Sequence, residues 1–236
     1  MPKTIYTDAT YLNNNPSWHV EDSAWKARQV LGMLKRHNLK PQTICEVGCG
    51  AGEILAQLRD ATTEEVQLSG YEISPQAFEL CHRRETPRLK FFLKNFLEES
   101  GRSFDLLLLM DVIEHVEDCY GFLRSLRPRA RYTILHIPLD VSVQTVLRGG
   151  FFQAVHESAG HLHYFTKETA LQTLADAGYR VLDHVYTPGA VDLPARSWKM
   201  ALARLPRKIA FAAHQDIAVS LLGGYSLLVL AERDNS

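Results

Sequence analysis

Apolar residues fall along the chain in short runs of two alternating kinds. From about Asp22 to His37, Val30, Leu31 and Leu34 recur at helical spacing and predict an N-terminal helix with one apolar face. A strand ending near Val47 follows, then a helix carrying Ile54, Leu55 and Leu58. The stretch from Val66 predicts a second strand ending at Glu72, and Pro75 suits the first turn of the next helix. Leu89 to Leu97 is a third apolar segment. Phe104 to Met110 holds four consecutive leucines bounded by charge, the pattern of a strand buried on both faces. A helix from about Tyr120 to Leu126 precedes a strand from Tyr132 to Ile137, which Pro138 is expected to stop. Thr166 reads as the N-cap of a helix that has Glu168 and Thr169 in its first turn and ends at Gly178. Tyr179 to Tyr186 and Ser226 to Ala231 are the last two strands, with a helical insertion between them. Strands alternating with helices predict an α/β fold, a parallel sheet covered on both faces.

The first strand runs into three glycines at alternate positions, Gly48, Gly50 and Gly52, preceded by Glu46. Glycine permits a sharp turn and close approach of a ligand, and a helix opening there points unpaired N–H groups at it. The segment is therefore read as a binding turn for a nucleotide-like cofactor. A dinucleotide fingerprint needs a third glycine where Glu53 stands. A phosphate-binding P-loop needs a Lys-Ser or Lys-Thr pair that is absent.

The pattern Glu46-x-Gly48-x-Gly50-x-Gly52 resembles motif I of the class I S-adenosylmethionine-dependent methyltransferases. Three further segments resemble that family in order. Glu72 stands where the family holds the cofactor ribose, with Ile73 against the adenine. Asn95 and Phe96 stand where the adenine is met, although aspartate is commoner at the first of these. Asp111-Val112-Ile113-Glu114-His115-Val116 resembles the fourth motif of the quinone-biosynthesis methyltransferases and their relatives. The resemblance implies a Rossmann-like doubly wound sheet of about seven strands, mostly parallel with the last strand antiparallel. It implies S-adenosyl-L-methionine as cofactor, bound by Glu46, Gly48, Cys49, Gly50, Gly52, Glu72, Ile73, Asn95, Phe96, Asp111 and Val112. Asp111 and His115 would lie beside the methionine end of the cofactor and the substrate.

Composition fits one enzyme domain spanning residues 1–236: 46% of residues are apolar, 22% charged, and the net charge is −1. Near-neutral charge gives no bulk attraction to nucleic acid, and no Asn-Pro-Pro-type base-flipping motif follows the fourth strand. No apolar stretch is long enough to span a bilayer, and no leader-like segment opens the chain. Cys45, Cys49, Cys81 and Cys119 form no C-x-x-C pair, so reduced thiols in a cytoplasmic protein are expected. A monomer or homodimer is expected.

Substrate identity is assigned to stretches outside the shared core. Residues 1–40 carry Tyr11, Asn13, Asn14, Asn15, Pro16, Trp18, His19 and Trp25 ahead of and into the first helix and are read as a lid and helix; Trp25 is expected to staple the helix to the core. Residues 139–165 hold His156, Glu157, Gly160, His161, His163 and Tyr164. The histidine spacing does not match a zincin helix, Gly160 argues against a helix there, and no metal site is assigned. Gly160-His161-x-x-x-Phe165 resembles a family segment on the substrate side. His161 leads as general base, with His115 and Asp111 behind it, because imidazole titrates near neutral pH. Residues 187–225 include a basic run, Arg196, Lys199, Arg204, Arg207 and Lys208, read as a solvated face, and an apolar stretch from Ile209 to Leu222. The expected function is methyl transfer to a small-molecule acceptor. A cofactor-binding subunit without catalysis and a nicotinamide-dependent oxidoreductase are the competing readings.

Overall fold

The computed structural model describes residues 18, 20–194 and 198–233. In chain order its main elements are α1 (Val20–Arg36), β1 (Thr43–Val47), α2 (Glu53–Ala61), β2 (Gln67–Glu72), α3 (Pro75–Cys81) and β3 (Leu89–Leu93). Next come β4 (Phe104–Met110), α4 (Cys119–Leu126), β5 (Ala130–Leu139), α5 (Val143–Leu147), α6 (Phe151–Ala159), α7 (Lys167–Asp176) and β6 (Tyr179–Thr187). The chain closes through α8 (Gly189–Asp192), α9 (Trp198–Ala213), α10 (Gln215–Leu222) and β7 (Tyr225–Arg233).

The strands form one seven-stranded sheet in the order β3-β2-β1-β4-β5-β7-β6. β1 to β5 are parallel, and β7 inserts antiparallel between β5 and β6. Strand order reverses between β1 and β4. At such a switch point the loops leaving the carboxyl ends diverge and open a crevice, where ligands of doubly wound sheets bind.

The sheet is buried on both faces. Alternate residues of the central strands enter two separate apolar clusters: Cys45, Leu107, Leu109 and Leu135 on one side, Ile44, Leu106, Leu108 and Ile134 on the other. α4 and α7 cover the first face through Leu123, Leu126, Ala170 and Leu174. α1 and α2 cover the second through Val30, Met33, Leu55 and Leu58. Each of the buried leucines, isoleucines, valine and methionine among them stabilises the fold by roughly 1.5–3 kcal/mol.

Local signals set the helix ends. The Ser74 side chain accepts from Ala77 N ahead of Pro75, and Thr166 and Thr169 form a reciprocal cap on α7. Gly178, at φ +85°, leads the chain from α7 into β6.

Two expectations are corrected. Pro138 does not stop β5, which continues to Leu139. His136 accepts from Asp111 N, so the residue two further on also turns its amide position toward β4, which has already ended. The missing N–H of proline therefore removes no ladder bond, while Pro138 stays in register with Ser226 of β7. Nor does Gly160 exclude a helix before it: at φ +81° it terminates α6, its N–H bonded to the Val155 and His156 carbonyls. His156 and Glu157 are exposed helical residues.

Among the described residues no helix is long and apolar enough to cross a membrane. Tyr11, Asn13, Asn14, Asn15, Pro16, His19 and Arg196 lie outside the described residues.

Candidate active site

The carboxyl ends of β1, β2, β4 and β5 bring the conspicuous residues of the sequence to one edge. Between β1 and α2 the chain turns at Gly48 (φ +72°), Gly50 (φ +53°) and Gly52 (φ +74°), all left-handed. Gly48 N and Cys49 N both donate to Tyr71 O, tying the turn to β2. Gly52 is needed for packing: a Cβ there would lie 2.6 Å from the Phe91 ring and 2.7 Å from Cys81 Cβ. Gly50 is different. Among the described residues a Cβ there would meet only the Trp18 ring, at 3.8 Å, so no described side chain is packed into the turn at Gly50.

Glu72 at the end of β2 accepts from Gly50 N on one oxygen and from Ile73 N and Ser74 N on the other, each at 2.8 Å. Burial pushes its carboxyl up, and these N–H groups offset only part of the rise. Beside it Ile73 is 49% exposed, and Leu93 and Leu97, at and beyond the end of β3, are exposed as well. An apolar shelf next to a carboxylate suits a flat apolar ring joined to a hydroxyl-bearing sugar.

Glu46 is 1% exposed, and its Oε2 has no hydrogen-bond partner among the described residues. Burial pushes its carboxyl well above the ordinary range. A buried orphan acceptor is costly until a donor or cation reaches it, so this edge suits a ligand carrying an ammonium group.

Asp111 follows β4 at φ +57°, with its carboxylate clamped between a lysine and a histidine. Lys26 Nζ of α1 lies 2.6 Å from one oxygen, and His136 Nδ1 of β5 lies 2.5 Å from the other. Burial would raise its pKa, but His136 and Lys26 outweigh burial and hold the carboxyl far below the usual range. Lys26 responds in mirror image: burial works against its ammonium, Asp111 outweighs it, and the pKa ends raised. A carboxylate held so firmly in its charged form is a poor proton acceptor, which corrects the expectation of Asp111 as a base. The clamp is supported in turn. Thr187 Oγ1 lies 2.9 Å from His136 Nε2, the Trp25 ring meets the His136 ring edge-on at 6.0 Å, and Trp25 Nε1 donates to Asp192. Trp25 is thus a staple holding α1 on the sheet.

Glu114 and His115 lie in a single 3-10 turn past Asp111. The segment from Gly160 docks on this turn, because Leu162 N and His163 N both donate to Glu114 O. His161 Nδ1 donates to Asp140 Oδ2 at 2.6 Å, and its ring stands edge-on to His115 at 4.8 Å. His115 Nδ1 lies 3.2 Å from Gly160 O. Burial, then repulsion from His161, lowers its pKa to about 4. His163 is directed elsewhere, with Nε2 donating to Val116 O.

The sequence model of a methyltransferase domain matches residues 19–184. The chain belongs to this methyltransferase-domain family. Comparison with curated proteins finds no match. Solved structures share the fold at low identity. Magnesium protoporphyrin IX methyltransferase from Synechocystis PCC 6803, with bound S-adenosylhomocysteine, is 17% identical, with a TM-score of 0.60 over 89% of this chain and 83% of that one. The plantazolicin methyltransferase, in complex with a desmethyl-plantazolicin analogue and S-adenosylhomocysteine, is 12% identical, with a TM-score of 0.59 over 96% and 89%. The [4+2]-cyclase SpnF is 16% identical, with a TM-score of 0.58 over 89% and 82%.

Within this methyltransferase domain the remaining expected site residues divide. Val112 packs a methyl group 3.0 Å from where a Gly48 Cβ would stand, so it borders the turn. Cys49 is buried, with Sγ 2.8 Å from the Cβ position of Gly70, and serves as packing between β1 and β2. The Asn95 side chain accepts from Leu97 N and caps the turn after β3. Phe96 is 1% exposed and stacks edge-on against Tyr71, which corrects its side chain from cofactor contact to core. Of the basic run, Arg204 bonds the carbonyls of Val191 and Asp192 and Arg207 that of Leu222, so these two bind backbone rather than facing only solvent. Lys26, His136, Asp140 and Glu114 were not singled out from the sequence. A lysine or histidine inside an apolar helix or strand, or an acid just past a strand, carries no spacing signal until its partner is known.

Proposed function

We propose that the chain is an S-adenosylmethionine-dependent methyltransferase acting on a small-molecule acceptor. The observation that carries this reading is the open left-handed turn at Gly50 set against two buried carboxyls, Glu46 and Glu72. The residues fit the cofactor chemically. Glu46, with its orphan oxygen, would take the ammonium; Glu72, whose Oε2 accepts one bond among the described residues, would take ribose hydroxyls; Ile73 would lie against the adenine. When bound, the cofactor supplies a sulfonium-activated methyl group, so the protein's task is alignment and exclusion of water.

Asp111, Glu114, His115 and His161 stand at the same edge, on the segments after β4 and before α7, and form the acceptor side. Of the two remaining candidate bases, His161 and His115, His161 is the better placed. Its Nδ1–H is held by Asp140, which orients the ring and leaves Nε2 as the proton acceptor. His115, pushed down to about 4, is a weaker base. Trp18, over Gly50, is the described part of the proposed lid.

The test is calorimetric titration with S-adenosylmethionine, S-adenosylhomocysteine and NAD, followed by an acceptor screen read by S-adenosylhomocysteine release. Binding of the first two without NAD supports the reading, and binding of NAD alone refutes it. The likeness to a cyclase keeps a second reading alive: a cofactor-binding fold that carries out another reaction. Cofactor binding with no methyl acceptor across the screen would favour it.

A further inference from the structure

Glu114 is fully buried, and neither of its carboxyl oxygens has a hydrogen-bond partner among the described residues. Two imidazoles face it. His115 Nε2 lies 3.8 Å from Glu114 Oε1, and ligand atoms of Glu114, His115 and His161 all fall within 4.8 Å of one another. Each ring is oriented from behind, His161 through Nδ1 by the Asp140 carboxylate and His115 through Nδ1 by the Gly160 carbonyl. An acceptor behind a histidine fixes its tautomer and turns the other nitrogen's lone pair forward, the arrangement that supports histidine metal ligands.

We infer that Glu114, His115 and His161 form a binding site for one divalent first-row transition-metal ion. A carboxylate and two imidazoles suit zinc, iron(II) or manganese(II) better than magnesium, which prefers an all-oxygen shell. The cation would satisfy both orphan oxygens, whose burial otherwise lacks compensation. Drawing the three groups from their present spacing to bond lengths of about 2.0–2.2 Å requires a contraction of roughly 1 Å or more. That movement is local, because His115 adjoins Glu114 and the His161 segment is already hydrogen-bonded to Glu114 O. Three protein ligands leave a coordination position open for water or an acceptor oxygen. This consequence for the acceptor rests on the proposed methyltransferase reading; the cation site does not. With the cation bound, His161 Nε2 would be a ligand, and polarisation of an acceptor hydroxyl would fall to the metal.

Turnover cannot separate a histidine ligand from a histidine base, so bound metal is the readout. The purified full chain is stripped with a chelator, dialysed, and titrated with Zn2+ by calorimetry, with bound zinc counted by mass spectrometry. One site per chain is expected in the wild type. Glu114→Gln and His161→Ala should each lower its affinity at least ten-fold, and Asp140→Asn should lower it less. S-adenosylhomocysteine affinity is measured on every sample, and circular dichroism confirms folding. No zinc site in the wild type, or zinc binding unchanged in His161→Ala and in folded Glu114→Gln, overturns the inference. Zinc binding without S-adenosylhomocysteine binding would sustain it while refuting the proposed function; the reverse pattern would do the opposite.

Discussion

Lys26 of the first helix and Asp111 at the end of the fourth strand lie 2.6 Å apart, with His136 closing the clamp from the other side. The helix that precedes the sheet is therefore fastened to the loop that borders the proposed acceptor side. Removing the carboxylate strands the Lys26 ammonium. Asp111→Asn keeps a residue tolerant of the left-handed backbone yet leaves the buried Lys26 ammonium without its counter-charge, and should cost about 3 kcal/mol at pH 7. The sign with pH follows from the depressed carboxyl: the folded state binds fewer protons than the unfolded state below about pH 4. Stability from Asp111 is thus present above that pH and lost as pH falls. The gap between wild type and variant should narrow by about 1 kcal/mol between pH 5 and pH 3. Urea midpoints at the two pH values would show it, and a constant gap would contradict the clamp.

The glycine turn separates packing from binding. Gly52→Ala combines a left-handed φ with a Cβ 2.6 Å from Phe91, and should destabilise by about 3 kcal/mol or more. Gly50→Arg meets only ordinary contact with the Trp18 ring among the described residues, so it should keep the fold at a cost of about 1–2 kcal/mol for its left-handed φ and lose measurable S-adenosylhomocysteine binding. Thermal melts alongside calorimetry test the pair. Equal loss of stability in both would remove the distinction.

Glu72→Ala should weaken S-adenosylhomocysteine binding by about 1–3 kcal/mol through the lost hydrogen bonds to the ribose, and should separately lower stability by orphaning Gly50 N and Ser74 N. Unchanged affinity would remove Glu72 from the proposed cofactor site.

All four cysteines are free and buried, and burial pushes Cys45 and Cys49 well up and Cys119 up to about 11. Native protein at pH 8 should react with a disulfide reagent at none of them within minutes, and urea should release four thiols. Rapid reaction of even one native thiol would contradict the packing.

His161→Ala should spare cofactor affinity and slow turnover by about 10²–10⁴-fold once an acceptor is known. His115→Ala, on a ring already pushed down to about 4, should slow it less if the rings act only as bases. Equal losses in the two would point to shared ligation instead.

The sequence by itself determined the order of the strands and the helices that flank them up to β5, the glycine turn, and the acid at the end of β2, because those features are written in local period and in residues with unusual backbone freedom. The leucines of β4 announced a strand covered on both faces, and Thr166 and Gly178 announced the ends of α7. Tertiary structure decided what local pattern cannot hold. Pro138 looked like a strand end until the neighbouring strand proved to stop first, and Gly160 looked like a helix breaker until it proved to be a helix cap. Phe96 became core because Tyr71 covers it. Asp111 ceased to be a base because Lys26 and His136, each distant in sequence, converge on its carboxylate. The same convergence joined Glu114 and His115 to His161 across the β4–β5 edge. Charge and ligation act through space, so their partners appear only once the chain has folded.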